Sequence, residues 1–317
     1  TTAGTIRDAA AGVTDTARAA VTGDVGAAAA RVVSAGQSGW QMGAAALRRP
    51  ERLVDVTGLV SSSGNRVVND VASVGKLALS GSSVSTVWTG VPGIEKGAFL
   101  APLIDLEQVK QIRRATGTTV NDVLLAALSG TLTRYLRAHG EHQVDELTWM
   151  IPVSVKPLDA QLPKDLGNHF ALVMFRMPLG IDDVRTRLDE IHDRMERIKA
   201  SDEALLTFGL QQGVSQAPAA ASSAVVNFFA NKAVGVLTNV PGPRQPMTLA
   251  GTQVEGVLGW APCSADHPMT ICIFSYNGRV AVGFGTDTTL IPDGETLGPL
   301  FTQEFTEMYR DVVASTA

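Results

Sequence analysis

The sequence predicts an α/β fold, a layered sheet flanked by helices, and three observations predict it. From about residue 96 onward, segments of helical periodicity alternate with apolar segments of strand length. Two of those apolar segments are joined by Asn277-Gly278, the strongest short hairpin signal. The segment "DDVRTRLDEIHDRMERIKA" sets Val184, Leu188, Ile191, Met195 and Ile198 at spacings of three and four, the single apolar seam of an amphipathic helix.

Residues 1–95 have a different texture, rich in Ala, Gly, Ser and Val, with Trp40 and Trp88 among few aromatics. Ala-rich pieces such as "IRDAAAGVTDTARAAV" and "GAAAARVVSAG" favour short helices that glycines end. This part reads as a helical lead-in or linker that names no activity, and residues 96–317 as the folded lobe. In "IDLEQVKQIRRATG", Asp105 is placed as N-cap, Gln108 at the capping-box position and Gly117 as the stop.

Next comes "TTVNDVLLAALSGTLTRYLRAHGE". Thr119 and Asp122 have capping-box spacing, so each satisfies a backbone N–H that the helix start leaves unpaired. That accounts for Asp122 and leaves Asn121 open, either as filler in the first turn or as an amide facing a ligand. "ELTWMIPVSV" reads as a strand ending near Pro157, followed by the polar loop "KPLDAQLPKDLGN". The nearly continuous apolar run "HFALVMFRMPL" reads as a strand buried on both faces. In "VGVLTNVPGPRQP" three prolines and a glycine stop a strand, which places Thr238 and Asn239 at a strand end. The hairpin "MTICIFSYNGRVAVGFGTD" and a closing helix, "TLGPLFTQEFTEMYRDVVAS", complete the chain.

At 317 residues, with 45% hydrophobic and 18% charged, the chain is long enough to bury a full core. A formal net charge of -5 argues against a nucleic-acid partner, because phosphate binding needs clustered Lys and Arg. Its two cysteines, Cys263 and Cys272, are too far apart for a CxxC motif. No disulfide framework or metal site is therefore expected, and a reducing cytoplasmic setting is the default. No apolar run reaches the roughly 18 residues of a membrane span; "APAAASSAVVNFFANKAVGVLTNV" is broken by Asn227, Asn231 and Lys232. No signal peptide is visible, and a start at "TTAGT" without Met suggests a processed or truncated polypeptide.

Catalytic signatures are sparse. There is no G-x-S-x-G elbow, P-loop or dinucleotide fingerprint. His139 and His142 form H-x-x-H at a helix end, where a solvated turn is the ordinary reading. His192 falls beside its helix seam and reads as a satisfied structural histidine. His169 and His267 each precede a strand and have no recognisable partner in the sequence, so a structural role is favoured for both. What remains are polar residues at element ends: Asn121, Thr238, Asn239, and Ser275 with Tyr276. Amides and hydroxyls so placed suit binding or oxyanion stabilisation better than proton abstraction, and each also suits a cap or turn.

In combination, "TVNDVLLAALSGTLTRYL", "MIPVSVKP", "GNHFALVMFRMPL", "TNVPGPRQPMTLAGTQVEGV" and "SYNGRVAVGFGTD" resemble the C-terminal half of the bacterial wax ester synthase/diacylglycerol acyltransferase family, best known in mycobacteria. The likeness covers roughly residues 95 to 315, so residues 1–95 correspond to the connector between the halves. The resemblance implies a chloramphenicol-acetyltransferase-like lobe with a mixed sheet flanked by helices. It also implies long-chain acyl transfer from acyl-CoA, as substrate with no cofactor, to diacylglycerol or a fatty alcohol. The family's general base is the second histidine of an HHxxxDG motif in the N-terminal half. None of His139, His142, His169, His192 and His267 is adjacent to another, so the chain departs from the family there.

The expectation is therefore an acyltransferase lobe complete only with its histidine-bearing half as partner. On this resemblance Asn121 faces the reaction centre as an oxyanion or positioning group while Asp122 supports the turn. Asn239 positions substrate beside the tunnel, with Thr238, Tyr276 and His169 as further substrate-binding candidates, Tyr276 being structural first. Attachment to a membrane or lipid-droplet surface, where it occurs, is expected to be peripheral. Two alternatives stand beside this reading: a non-catalytic lipid-binding or regulatory module of the same fold, and a free-standing transferase using His169 or His267.

Overall fold

The computed structural model describes residues 85–154, 170–200, 232–263 and 266–314, and these residues run through nine strands and four α-helices. In order these are β1 (Lys96–Leu100), β2 (Ile104–Asp105), α1 (Leu106–Thr116), α2 (Val120–Ala138), β3 (Glu146–Ser154) and β4 (Phe170–Pro178). There follow α3 (Val184–Lys199), β5 (Gly235–Pro241), β6 (Thr248–Leu249), β7 (Thr252–Gln253), β8 (Met269–Tyr276), β9 (Arg279–Asp287) and α4 (Leu297–Val312), the last entered through a 3-10 turn at Gly294–Thr296. The expected lead-in helices before residue 85 lie outside the described residues. The chain divides into two compact units, one of residues 81–152, 174–200 and 229–317 and one of residues 1–80, 153–173 and 201–228. The site described below belongs to the former.

The sheet order is β1-β9-β8-β5-β3-β4, with β2 also paired to β9. β3 with β5 and β5 with β8 are parallel, while β8 with β9 and β1 with β9 are antiparallel, so the sheet is mixed as expected. Asn277 and Gly278 both take positive φ, 45° and 79°, the conformation a two-residue hairpin needs to match the strand twist. Tyr276 consequently faces Arg279 and the register is fixed through Met269 opposite Thr286.

Local signals account for the helix ends. Asp105 caps α1 by accepting from Glu107 N–H at 2.8 Å, and α1 stops at Gly117. α2 is apolar nearly all round and buried from Asp122 to Thr133, because α1, α3 and α4 all pack against it. A Glu on α4 reaches that interior: Glu304, 3% exposed, meets the Arg134 guanidinium at 2.5 Å and pairs with buried Arg187. Gly130 makes room for it, since a Cβ there would sit 2.3 Å from Glu304 Cδ.

Two expectations about strands are corrected. β4 is not buried on both faces: Ala171, Val173, Phe175 and Met177 are buried, whereas Phe170 and Arg176 are exposed and Leu172 and Met174 only half-buried. Its apolar run is broken only at Arg176, but the strand lies at the end of the sheet order. β5 does not end at Thr238 and Asn239. It continues to Pro241, pairing in parallel with β8 as far as Pro241 opposite Ser275. Its ladder to β3 is short, joining Gly235 and Val236 to Trp149 and Met150.

Candidate active site

The first turn of α2 is built by the predicted capping box. Thr119 Oγ1 accepts from Asp122 N–H at 3.2 Å, and Asp122 Oδ2 accepts from Thr119 N–H at 2.9 Å. The box leaves the Asp122 side chain wholly buried, where a carboxylate needs further donors. One comes from α3: His192 Nδ1 lies 2.7 Å from the same Oδ2. Because a carboxylate can only accept, Nδ1 carries the proton and donates. Asp122 Oδ1 has no partner among the described residues.

Asn121, one residue earlier, faces β5. Its Oδ1 accepts from Asn239 Nδ2 at 3.0 Å, and both side chains are half-buried. With its oxygen engaged, the Asn121 amide turns its Nδ2 donors away from Asn239. This pair joins a helix N-terminus, where backbone N–H groups and the helix dipole already favour negative charge, to a strand edge that β3 does not cover. Chemically, the arrangement can hold an oxyanion or orient a carbonyl.

The structure brings together Asn121, Asp122 and Asn239 and separates Thr238 from them. Successive strand residues point to opposite faces. Asn239 points toward α2, whereas Thr238 Oγ1 donates to Cys272 Sγ at 3.3 Å on the other face. Tyr276 is 3% exposed, and its hydroxyl is engaged by the backbone: it accepts from Met247 N–H and donates to Val254 O, both at 2.8 Å. Those bonds pin the β6–β7 ribbon to the sheet. His267 is 1% exposed, and His169 lies outside the described residues. His139 stacks on Tyr135 with ring centroids 4.2 Å apart and reaches Asp293 at 3.3 Å.

The residue that sequence reasoning missed in this constellation is His192. Reading it as a satisfied histidine was sound, but its partner lies 70 positions away and no local signal names it.

Residues 166–309 match the family model "WS/DGAT C-terminal domain"; Asn239 falls within that span and Asn121 precedes it. A probable diacylglycerol O-acyltransferase of Mycobacterium tuberculosis is 27% identical over 204 residues, 63% of this chain and 44% of that protein. The O-acyltransferase WSD of Acinetobacter baylyi is 23% identical over 219 residues, 68% of this chain and 47% of that protein. The chain thus spans about half the length of the curated relatives it matches. Among solved structures, the wax ester synthase/diacylglycerol acyltransferase from Marinobacter aquaeolei VT8 superposes with a TM-score of 0.56 at 18% identity, covering 79% of this chain and 57% of that one. At such identity the likeness concerns the fold, and the fold is the chloramphenicol-acetyltransferase-like lobe that the resemblance implied.

Proposed function

Because residues 166–309 match the WS/DGAT C-terminal domain model, we propose that this chain is the C-terminal lobe of an acyl-CoA-dependent O-acyltransferase. The whole enzyme would move a long-chain acyl group to diacylglycerol, giving triacylglycerol, or to a fatty alcohol, giving a wax ester. The proton acceptor comes from a partner half carrying HHxxxDG, since no two of the five histidines here are adjacent. The acceptor hydroxyl loses its proton to that histidine and its oxygen attacks the thioester carbonyl. The tetrahedral intermediate then collapses, with CoA leaving as the thiol after taking the proton back.

This lobe supplies the amide for the intermediate's oxyanion. The observation that carries that role is the Asn239–Asn121 bond, which fixes the oxygen of Asn121 inward and leaves its N–H donors for a ligand. A donor held in place before charge develops needs no reorganisation during reaction, and losing one typically costs about 2.7 to 4 kcal/mol of barrier. Asn239 is the positioning partner and Asp122 the support of the turn. No helix among the described residues is long and apolar enough to cross a membrane.

The test is reconstitution. The chain, alone and together with an HHxxxDG-bearing half, is incubated with labelled palmitoyl-CoA and either dioleoylglycerol or hexadecanol. Ester formation only when both are present is expected. Turnover by the chain alone would assign the base to a histidine within it, and acyl-chain binding without turnover in either case would make it a non-catalytic lipid-binding module.

A further inference from the structure

The start of α2 is tied to two other elements through adjacent residues. Asn121 is held by Asn239 of β5 at 3.0 Å, and Asp122 by His192 of α3 at 2.7 Å. The second tie is the more exposed to loss. The Asp122 carboxylate is wholly buried, Oδ1 has no partner among the described residues, and Oδ2 carries both the capping bond to Thr119 and the bond from His192. Among the described residues, His192 is the one side chain from another element that bonds this carboxylate. Its imidazole is 32% exposed, so it reaches in from the surface rather than forming part of the core.

Removing that donor leaves a buried carboxylate held by a single backbone N–H, a state relieved by opening the turn toward water. Opening the turn swings Asn121, because a helix position cannot move without its neighbour. We propose that His192 is a positioning residue for Asn121: by donating from Nδ1 to Asp122 it locks the first turn of α2, so that the Asn121 amide keeps its bond to Asn239 and its remaining donors keep their aim. The functional consequence rests on the oxyanion role given to Asn121 above; the mechanical linkage does not.

The linkage is read first in the intact chain, without turnover. In 15N-labelled protein the bond to Asn121 should slow exchange of the Asn239 side-chain amide. His192→Ala should abolish that protection. His192→Asn, whose amide nitrogen falls where Nδ1 was, should restore it. Unchanged protection in His192→Ala, or none regained in His192→Asn while the fold melts cooperatively, overturns the proposal.

In the reconstituted two-half enzyme, His192→Ala should lower kcat by about tenfold to 10²-fold, the range that misplacement of a remote group can produce, with KM unchanged. His192→Asn should recover most of it. Asn121→Ala is run alongside. If it loses kcat while His192→Ala does not, the positioning role is overturned and the oxyanion reading stands. If Asn121→Ala keeps full turnover, the oxyanion reading is what fails, and the amide-exchange result alone decides the linkage.

Discussion

Asn239 Nδ2 donates to Asn121 Oδ1 across 3.0 Å, joining two residues 118 positions apart. The bond has a direction, and the direction is testable. In Asn239→Asp the new side chain can only accept, so Asn121 must flip to donate to it, which aims its oxygen outward and consumes the amide donor. Turnover of the reconstituted enzyme should fall by about 10²-fold, the lower end for loss of an oxyanion donor. The melting temperature should hardly move, because a hydrogen bond at this site is kept. Equal activity in Asn239→Asp and the parent would show that the donors of Asn121 do no chemistry.

Asn121 and Asp122 should separate in the same assays. Asn121→Ala removes the amide without touching the capping box and should reduce kcat far more than stability. Asp122→Ala removes the carboxylate half of the box and the partner of His192 together. The Thr119 N–H loses its acceptor and the vacated buried space adds to the loss, so the urea midpoint should drop. Thr119→Ala, which breaks only the hydroxyl half of the box, should fall between the parent and Asp122→Ala.

The capping box was legible because it is local: two residues three apart, each answering an unpaired N–H of the same turn. The cap at Asp105, the Asn277-Gly278 turn and the seam of α3 were legible for the same reason. The pairs that make the site were not, since nothing in Asn121 specifies Asn239 and nothing in Asp122 specifies His192. Thr238 and Asn239 were read together as a strand end, whereas the strand runs on and pleating sends them to opposite faces. The capping box left Asn121 unexplained, and the family resemblance supplied the role it is given. A carboxylate at a helix start also reads as exposed, and only the packing of α1, α3 and α4 around α2 shows that it is buried.

Glu304 gives the largest expected stability change. It lies 4% exposed at the side chain between Arg134 and Arg187, the latter also 4% exposed. Removing one partner of a buried ion pair typically costs about 3 to 5 kcal/mol, because a charge is stranded without its counter-ion. Glu304→Ala should therefore approach that loss in chemical denaturation, while Glu307→Ala, which removes a more exposed partner of Arg134, should cost much less. Gly130→Ala is a control on geometry. Helix propensity favours Ala by about 1 kcal/mol, yet a Cβ would meet Glu304 within 2.3 Å, so destabilisation is expected.

Acid should act through Asp287, at the end of β9. Burial on its own would raise this carboxyl, but Lys96 Nζ at 2.5 Å and the backbone N–H groups of Gly93 and Leu290 outweigh it and hold the group below the usual carboxylate range. A depressed value in the folded state means that the unfolded chain takes up the proton first. The stabilisation is therefore present above the ordinary aspartate value of about 3.9 and lost as pH falls through the lower, folded one. Lys96→Met removes the main opposing charge and leaves the burial. The gap in urea midpoint between the parent and Lys96→Met should be wide at neutral pH and should close as both carboxyls become protonated. A gap that stayed constant down to acid pH would mean that Lys96 stabilises this edge of the sheet by packing its methylenes rather than by its charge.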